Sequence, residues 1–122
     1  KLIEAVTLME TNLEEPLSPD DLAYHVGLSR RHLERLFKKH LDSVPSRFYL
    51  QLRLDKARQM LRDTDRSIVE VGMACGFSSA SHFSTTYRTH FNLTPRQERG
   101  RATHVESAPS WTHSVAIQRR LD

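Results

Sequence analysis

A short segment of this chain occurs twice. LAYHVGLS at residues 22–29 is matched by VGMACGFS at residues 71–78, at a constant offset of 49. Beyond it, Leu33, Phe37, Lys38, His40, Leu41 and Pro45 are matched by Phe83, Tyr87, Arg88, His90, Phe91 and Pro95 at an offset of 50, so one residue has been added where the second copy's longer helix begins. A repeat constrains the fold strongly, because whatever unit one copy forms the other must form too. Each copy reads as a short helix, a turn containing glycine and a longer helix opening on serine. That is a helix-turn-helix pattern, in which glycine takes the positive φ that lets two helices cross steeply.

The flanking sequence is helical as well. Leu2, Val6, Met9 and Leu13, widened by Ile3, predict an amphipathic helix over residues 2–13, with Pro16 beyond its end. Ser18-Pro19-Asp20-Asp21 combines a serine N-cap, proline at the first helical position and acids in the first turn, and Gly27 suits a left-handed C-cap. Ser29 caps a third helix with Leu33, Leu36, Phe37 and Leu41 on one face, and Pro45 closes that unit. A longer helix follows over residues 46–62, facing Phe48, Leu52, Leu54, Ala57 and Leu61 inward. Ser67 caps a short helix holding Ile68, Val69 and Val71, which Gly76 ends. Ser78 or Ser79 opens the next, with Phe83, Tyr87 and Phe91 at i, i+4, i+8, and Thr94-Pro95 starts a last one that fades near Gly100.

Nothing in this pattern calls for a strand. The fold class is all-α: two helix-turn-helix subdomains joined by a long linker helix, about seven helices in all. We place the first subdomain at residues 1–45, the linker at 46–63 and the second subdomain at 64–101. Residues 102–122 lack apolar residues at any period, and disorder is expected there.

Composition removes several classes of function. At 122 residues the chain has room for one domain or two very small ones. The longest uncharged stretch, which ends at Arg88, contains Gly72, Gly76 and several serines, so no membrane span is expected. A single cysteine, Cys75, excludes an internal disulfide and a multi-cysteine zinc site. It stands where the first copy has Val26, as a buried small apolar residue would. Seven histidines invite a metal, yet there is no H-E-x-x-H, and His40 and His90 occupy equivalent repeat positions, which suits structural use. With no nucleophile elbow and no glycine-rich phosphate loop, neither an enzyme nor a cofactor is expected. The chain opens at Lys1 without an initiator Met and shows no charged-then-apolar leader, so we expect a fragment of something longer.

The charge distribution points to a polyanion. The formal net charge is only +3, but residues 1–28 carry one base against six acids, and residues 29–58 carry nine bases against three. A concentrated basic block favours phosphates, because neutralising them releases counterions. The same block also suits a solvated helix face. Two copies of the pattern, each with a hydroxyl cap and a basic or polar outer face, are hard to explain by packing alone. The linker helix spans about 26 Å at 1.5 Å per residue. The two recognition helices are then expected about one DNA turn, roughly 34 Å, apart.

The chain resembles the C-terminal DNA-binding domain of the AraC/XylS family of bacterial transcription regulators. The second copy carries the most specific part of the likeness: Ile68, Gly76-Phe77, Ser81-His82-Phe83-Ser84, Tyr87-Arg88, Phe91 and Thr94-Pro95. The first copy adds LSRRHLERLFKKHL, and Arg53-x3-Ala57-x3-Leu61 resembles the family's linker helix. The likeness covers about residues 2–101 and departs at two places, Gly72 for the usual alanine and Asn92 for the usual glycine. Asn tolerates the left-handed conformation. Gly72 is expected to loosen the second unit by up to about 1 kcal/mol.

The resemblance implies base-edge contacts on the early part of the third helix. Its outer face carries Arg31, Glu34, Arg35 and Lys38. Arg31 and Arg35 are then the candidates for guanine O6 and N7, and Glu34 for cytosine N4, unless Glu34 only pairs with Arg30 or Lys38 along the helix. Arg30, His32, Lys38 and Lys39 are candidates for the phosphate backbone. In the second copy Ser79, Ala80, Ser81, Ser84 and Thr85 face outward as softer base readers, Ala80 against a thymine methyl, with Arg88 and Arg96 beside phosphates. Helix N-termini offer free N–H groups to phosphates, so Ser29, Ser78 and Thr94 combine capping with contact, while Ser18 and Ser67 read first as caps. His82 reads as a packing or phosphate residue.

Two functions follow. The first is sequence-specific binding of double-stranded promoter DNA, one chain contacting two successive major-groove segments. The resemblance further implies a missing N-terminal effector or dimerisation domain, RNA polymerase as a partner, and a branch whose sensor looks like a DJ-1/PfpI or glutamine-amidotransferase fold. The alternative is a helical protein-interaction module whose basic face docks an acidic partner such as RNA polymerase.

Overall fold

The computed structural model describes residues 1–101. Seven helices make up this part: α1 (Leu2–Thr11), α2 (Pro19–Val26), α3 (Arg30–Leu41), α4 (Pro45–Asp63), α5 (Ile68–Ala74), α6 (Ala80–Phe91) and α7 (Pro95–Arg101). No strand occurs among the described residues, as the all-α reading requires. The tail from Ala102 onward, expected to be disordered, lies outside them. The chain divides within α4 into two compact units, Lys1–Leu52 and the segment from Arg53.

In the first unit the apolar faces of α1, α2 and α3 meet in a core of Leu2, Ala5, Val6, Met9, Leu22, Ala23, Val26, Leu33, Phe37 and Leu41, joined by Tyr49 and Leu52 of α4. Ser18 caps α2 by accepting from the Asp21 amide, and Ser29 caps α3 by accepting from the His32 amide. Between them Gly27 has φ 74°, a conformation costly for residues with a Cβ.

The second unit repeats this grammar. Ser67 caps α5 and Ser79 caps α6, which decides between Ser78 and Ser79. Gly76 takes φ 87° at the turn. Thr94 and Gln97 cap α7 reciprocally, the Thr94 amide donating to Gln97 Oε1 and the Gln97 amide donating to Thr94 Oγ1. Both long helices end on a left-handed non-glycine residue at equivalent positions, Asp42 at φ 50° and Asn92 at φ 63°. The core here is Leu54, Ala57, Leu61, Val71, Cys75, Phe77, Phe83 and Tyr87.

Three expectations need correction. Helix α1 stops at Thr11, not Leu13, because Tyr49 draws the chain away: its hydroxyl donates to the Asn12 carbonyl and accepts from the Leu17 amide at 3.1 Å. Pro45 begins α4 instead of closing the preceding unit; its missing N–H costs nothing at the first helical position. Gly72 is a fitted residue, not a loose one: a Cβ there would stand 2.8 Å from Cδ2 of Phe83 and 2.9 Å from Cγ. The close approach of α5 to α6 requires its absence.

Candidate nucleic-acid interface

On α3, capping by Ser29 and the burial of Leu33, Phe37 and Leu41 leave one face to solvent. Arg31, Arg35 and Lys39 fall on it at i, i+4 and i+8, all exposed. Among the described residues none of the three forms an ion pair, so this stripe is unneutralised. Its neighbours are engaged. Arg30 Nε donates to Glu34 Oε1 at 3.0 Å, and Arg30 Nη1 lies 3.6 Å from Asp20 Oδ2. Lys38 Nζ pairs with Asp42 at 3.0 Å, and its hydrogen bond holds the Asp42 carboxyl below the usual range. Glu34, half-buried, is therefore held by Arg30, one of the two partners foreseen for it. These exposed pairs are worth little in themselves, so they leave Arg30, Glu34 and Lys38 able to change partners when a polyanion arrives.

The equivalent stripe on α6, 50 residues on, is Ser81, Thr85 and Thr89: hydroxyls where α3 has cations. Ala80, Ser81 and Thr85 are exposed with Ser78 and Ser79, while Ser84 is half-buried on the flank. Ser79 Oγ is occupied as the cap, accepting from the His82 amide at 3.1 Å, and Thr89 Oγ1 donates to the Thr85 carbonyl at 2.9 Å. Arg88 and Arg96 are exposed, and Thr94 is half-buried in its capping pair. His82 lies edge-on to Phe77 with ring centres 5.6 Å apart, in keeping with packing. Cys75 is fully buried, its Sγ 3.9 Å from Met60 Sδ, and burial pushes the thiol up to about 11. At neutral pH it is a protonated core residue, without nucleophilic character.

Glu98, Arg58 and Arg62, which help to hold α6 in place, were not singled out by pattern. Glu98 of α7 is 1% exposed and ion-paired with Arg58 Nε at 2.7 Å and Arg62 Nη2 at 3.0 Å, both on α4. It also accepts the Tyr87 hydroxyl at 2.7 Å. Burial pushes the Glu98 carboxyl up, but Tyr87, Arg62 and Arg58 together outweigh it and hold it below its ordinary range. The Tyr87 hydroxyl is pushed up by burial and by its bond to the carboxylate. Arg58 stacks over Phe91 at 4.6 Å. Arg53 of α4 reaches the carbonyls of Cys75 and Gly76. The signal for Glu98 was indirect: a buried tyrosine at 87 needs a polar partner for its hydroxyl. Among the described residues, no group of three His, Cys, Asp or Glu side chains is placed to hold a metal ion, and no helix is long and apolar enough to cross a membrane.

The geometry has counterparts among known proteins. A family described as a helix-turn-helix domain matches residues 22–101. The chain is 58% identical over 99 residues to the HTH-type transcriptional regulator ArgR of Pseudomonas aeruginosa, covering 81% of this chain and 30% of that protein. The regulator GbdR of the same species matches at 58% over 99 residues and 27% of its length. The chain thus spans less than a third of these curated relatives. Among solved structures, a transcriptional regulator with an AraC-type DNA-binding domain from Chromobacterium violaceum superimposes with TM-score 0.81 at 64% identity, covering 84% of this chain and 92% of that one. The DNA-binding domain of AdpA, solved in complex with a target DNA, superimposes with TM-score 0.76 at 28% identity, covering 81% and 89%.

Proposed function

The chain belongs to the AraC-type family of helix-turn-helix DNA-binding domains, which bind and do not catalyse, and from that premise we propose that it reads a bipartite promoter site with α3 and α6 in successive major-groove segments. The observation that carries this reading is the unneutralised stripe of Arg31, Arg35 and Lys39 on a serine-capped helix after a left-handed glycine turn, repeated on α6 with hydroxyls. Arg31 and Arg35 read guanine edges, and Glu34, released from Arg30, accepts from cytosine N4. Ser29, Arg30, His32, Lys38 and Lys39 position the backbone. On α6, Ser79, Ala80, Ser81, Ser84 and Thr85 face bases, while Ser78, Arg88, Thr94 and Arg96 face phosphates. Residues 46–63 act as the linker between the two readers.

The whole protein acts in the bacterial cytoplasm as a transcription regulator, like the relatives whose names say so. It carries an N-terminal effector or dimerisation domain, of DJ-1/PfpI or glutamine-amidotransferase type, and meets RNA polymerase at the promoter. Selection of bound duplexes from a random pool at near-physiological salt tests the DNA reading. A motif with two halves about one helical turn apart is expected. A single half-site removes α6 as a base reader, and no enrichment at any salt shifts the function to docking of an acidic protein.

A further inference from the structure

The helix that precedes each repeat can be put in register from its buried face. Ser18 and Ser67 cap equivalent helices 49 residues apart, and the connections before them differ by three residues, 12–17 against 64–66. The preceding helices therefore correspond at an offset of 52. That pairs Leu2 with Leu54, Ala5 with Ala57 and Met9 with Leu61, all buried. At the same offset Arg53 pairs with Lys1, so a cation stands at one place ahead of both repeats.

What Arg53 does there is specific. Its Nε donates to the Cys75 carbonyl and its Nη2 to the Gly76 carbonyl, each at 2.8 Å. Its guanidinium lies 4.4 Å from the centre of the Phe77 ring. Among the described residues these two carbonyls accept no backbone N–H, so the arginine is their donor. A planar fork with two donors along one edge matches two successive carbonyls, which a single ammonium does not. Phe77 passes the constraint on, packing against Phe83 at 5.1 Å and His82 at 5.6 Å in the first turn of α6. In the first repeat Lys1 Nζ lies 3.6 Å from where a Cβ on Gly27 would stand, beside the same turn, and Leu28 takes the place of Phe77.

We infer that Arg53 is a positioning residue for DNA reading: it clamps the α5–α6 turn and, through Phe77, fixes the pose of the first turn of α6. The inference rests on the base-reading role assigned to α6 above. The stronger clamp belongs to the second repeat for a physical reason. Arg31 and Arg35 are long side chains that accommodate a small displacement of α3. Ser81 and Thr85 reach only one bond beyond Cβ, so their helix has to be placed accurately. Lys1 is the looser equivalent in the repeat that needs it less.

The test uses the 122-residue chain with Arg53→Ala and Arg53→Lys, followed by duplex selection and by amide hydrogen exchange over residues 77–83. In Arg53→Ala the helical circular dichroism is retained, exchange over 77–83 speeds up by about tenfold or more, and base preference is lost in the α6 half-site alone. Arg53→Lys keeps the positive charge but restores neither the protection nor the preference. Unchanged exchange and unchanged half-site preference in Arg53→Ala overturn the inference. If that variant does not fold, Arg53→Lys decides: protection and preference equal to the unaltered chain overturn it, and loss of both supports it. If the unaltered chain selects only one half-site, the reading of α6 falls separately, and exchange over 77–83 alone judges the clamp.

Discussion

The two helix-turn-helix units share a backbone grammar and fill it differently. The first has a buried Ala23 and Leu33 at the positions where the second has Gly72 against Phe83, so a methyl on one helix is traded for a larger ring on the other. The first unit's core is apolar, with the Tyr49 hydroxyl as its buried polar tie. The second buries a carboxylate between two arginines and a tyrosine. Their outer faces differ in the same way, with Arg31, Arg35 and Lys39 against Ser81, Thr85 and Thr89. Caps and left-handed residues therefore specify the motif, while core volume and surface chemistry are free to diverge as long as each unit stays internally consistent.

The largest expected effect breaks the second unit's own device. Glu98→Ala leaves Arg58, Arg62 and the Tyr87 hydroxyl without their carboxylate and should cost about 3–5 kcal/mol, read by urea unfolding. Exchange protection in α1–α3 should survive it, and equal loss in both units would refute their separateness. The same group has a pH signature. Its carboxyl is held below its ordinary 4.5, so its stabilisation is complete above that value and disappears as pH falls through the lower folded one. Glu98→Gln should flatten this acid limb of the melting curve.

Next in size is the exchanged pair at the helix crossing. Gly72→Ala drives a methyl into the Phe83 ring and should cost about 1–3 kcal/mol. Phe83→Leu in the same chain recreates the first unit's pairing and should recover part of that loss. Additive losses in the double-mutant cycle would mean the two positions are uncoupled.

The outer faces are compared by binding. Arg35→Ala should cost roughly 1–3 kcal/mol on a selected duplex and relax one base position, whereas Thr85→Ala at the equivalent site should cost less. The reverse ranking, measured by titration at fixed salt, would make α6 the dominant reader. Smallest is Lys39→Ala. It should weaken all sequences alike and lower the salt slope by about one. A change in base preference would move Lys39 from phosphate to base.

Much of this molecule was legible in one dimension because its signals are local. Ser18, Ser29 and Ser67 announce helices that begin one residue later, Gly27 and Gly76 announce the turns, and the spacing of Leu33 and Phe37, repeated by Phe83 and Tyr87, identifies the buried faces. The exposed stripe of α3 follows from the same spacing by subtraction. Helix boundaries failed where a distant residue intervened, as Tyr49 does at Asn12. Pro45 failed because a proline that ends one segment and one that starts the next look alike in sequence.

The sequence by itself determined the repeat, the existence of the helices, most of their caps and the side each one turns to water, since all of these depend on residues within a turn or two of one another. Only the tertiary structure decided that Glu98 pairs with both Arg58 and Arg62, that Arg53 holds the turn at Cys75 and Gly76, and that Gly72 is required by Phe83. Most of those contacts join residues 22 to 40 positions apart, and even Gly72 and Phe83 meet only because two helices cross. The reach of a side chain across such a gap is set by how helices pack, a property of volumes in space that no spacing along the chain encodes.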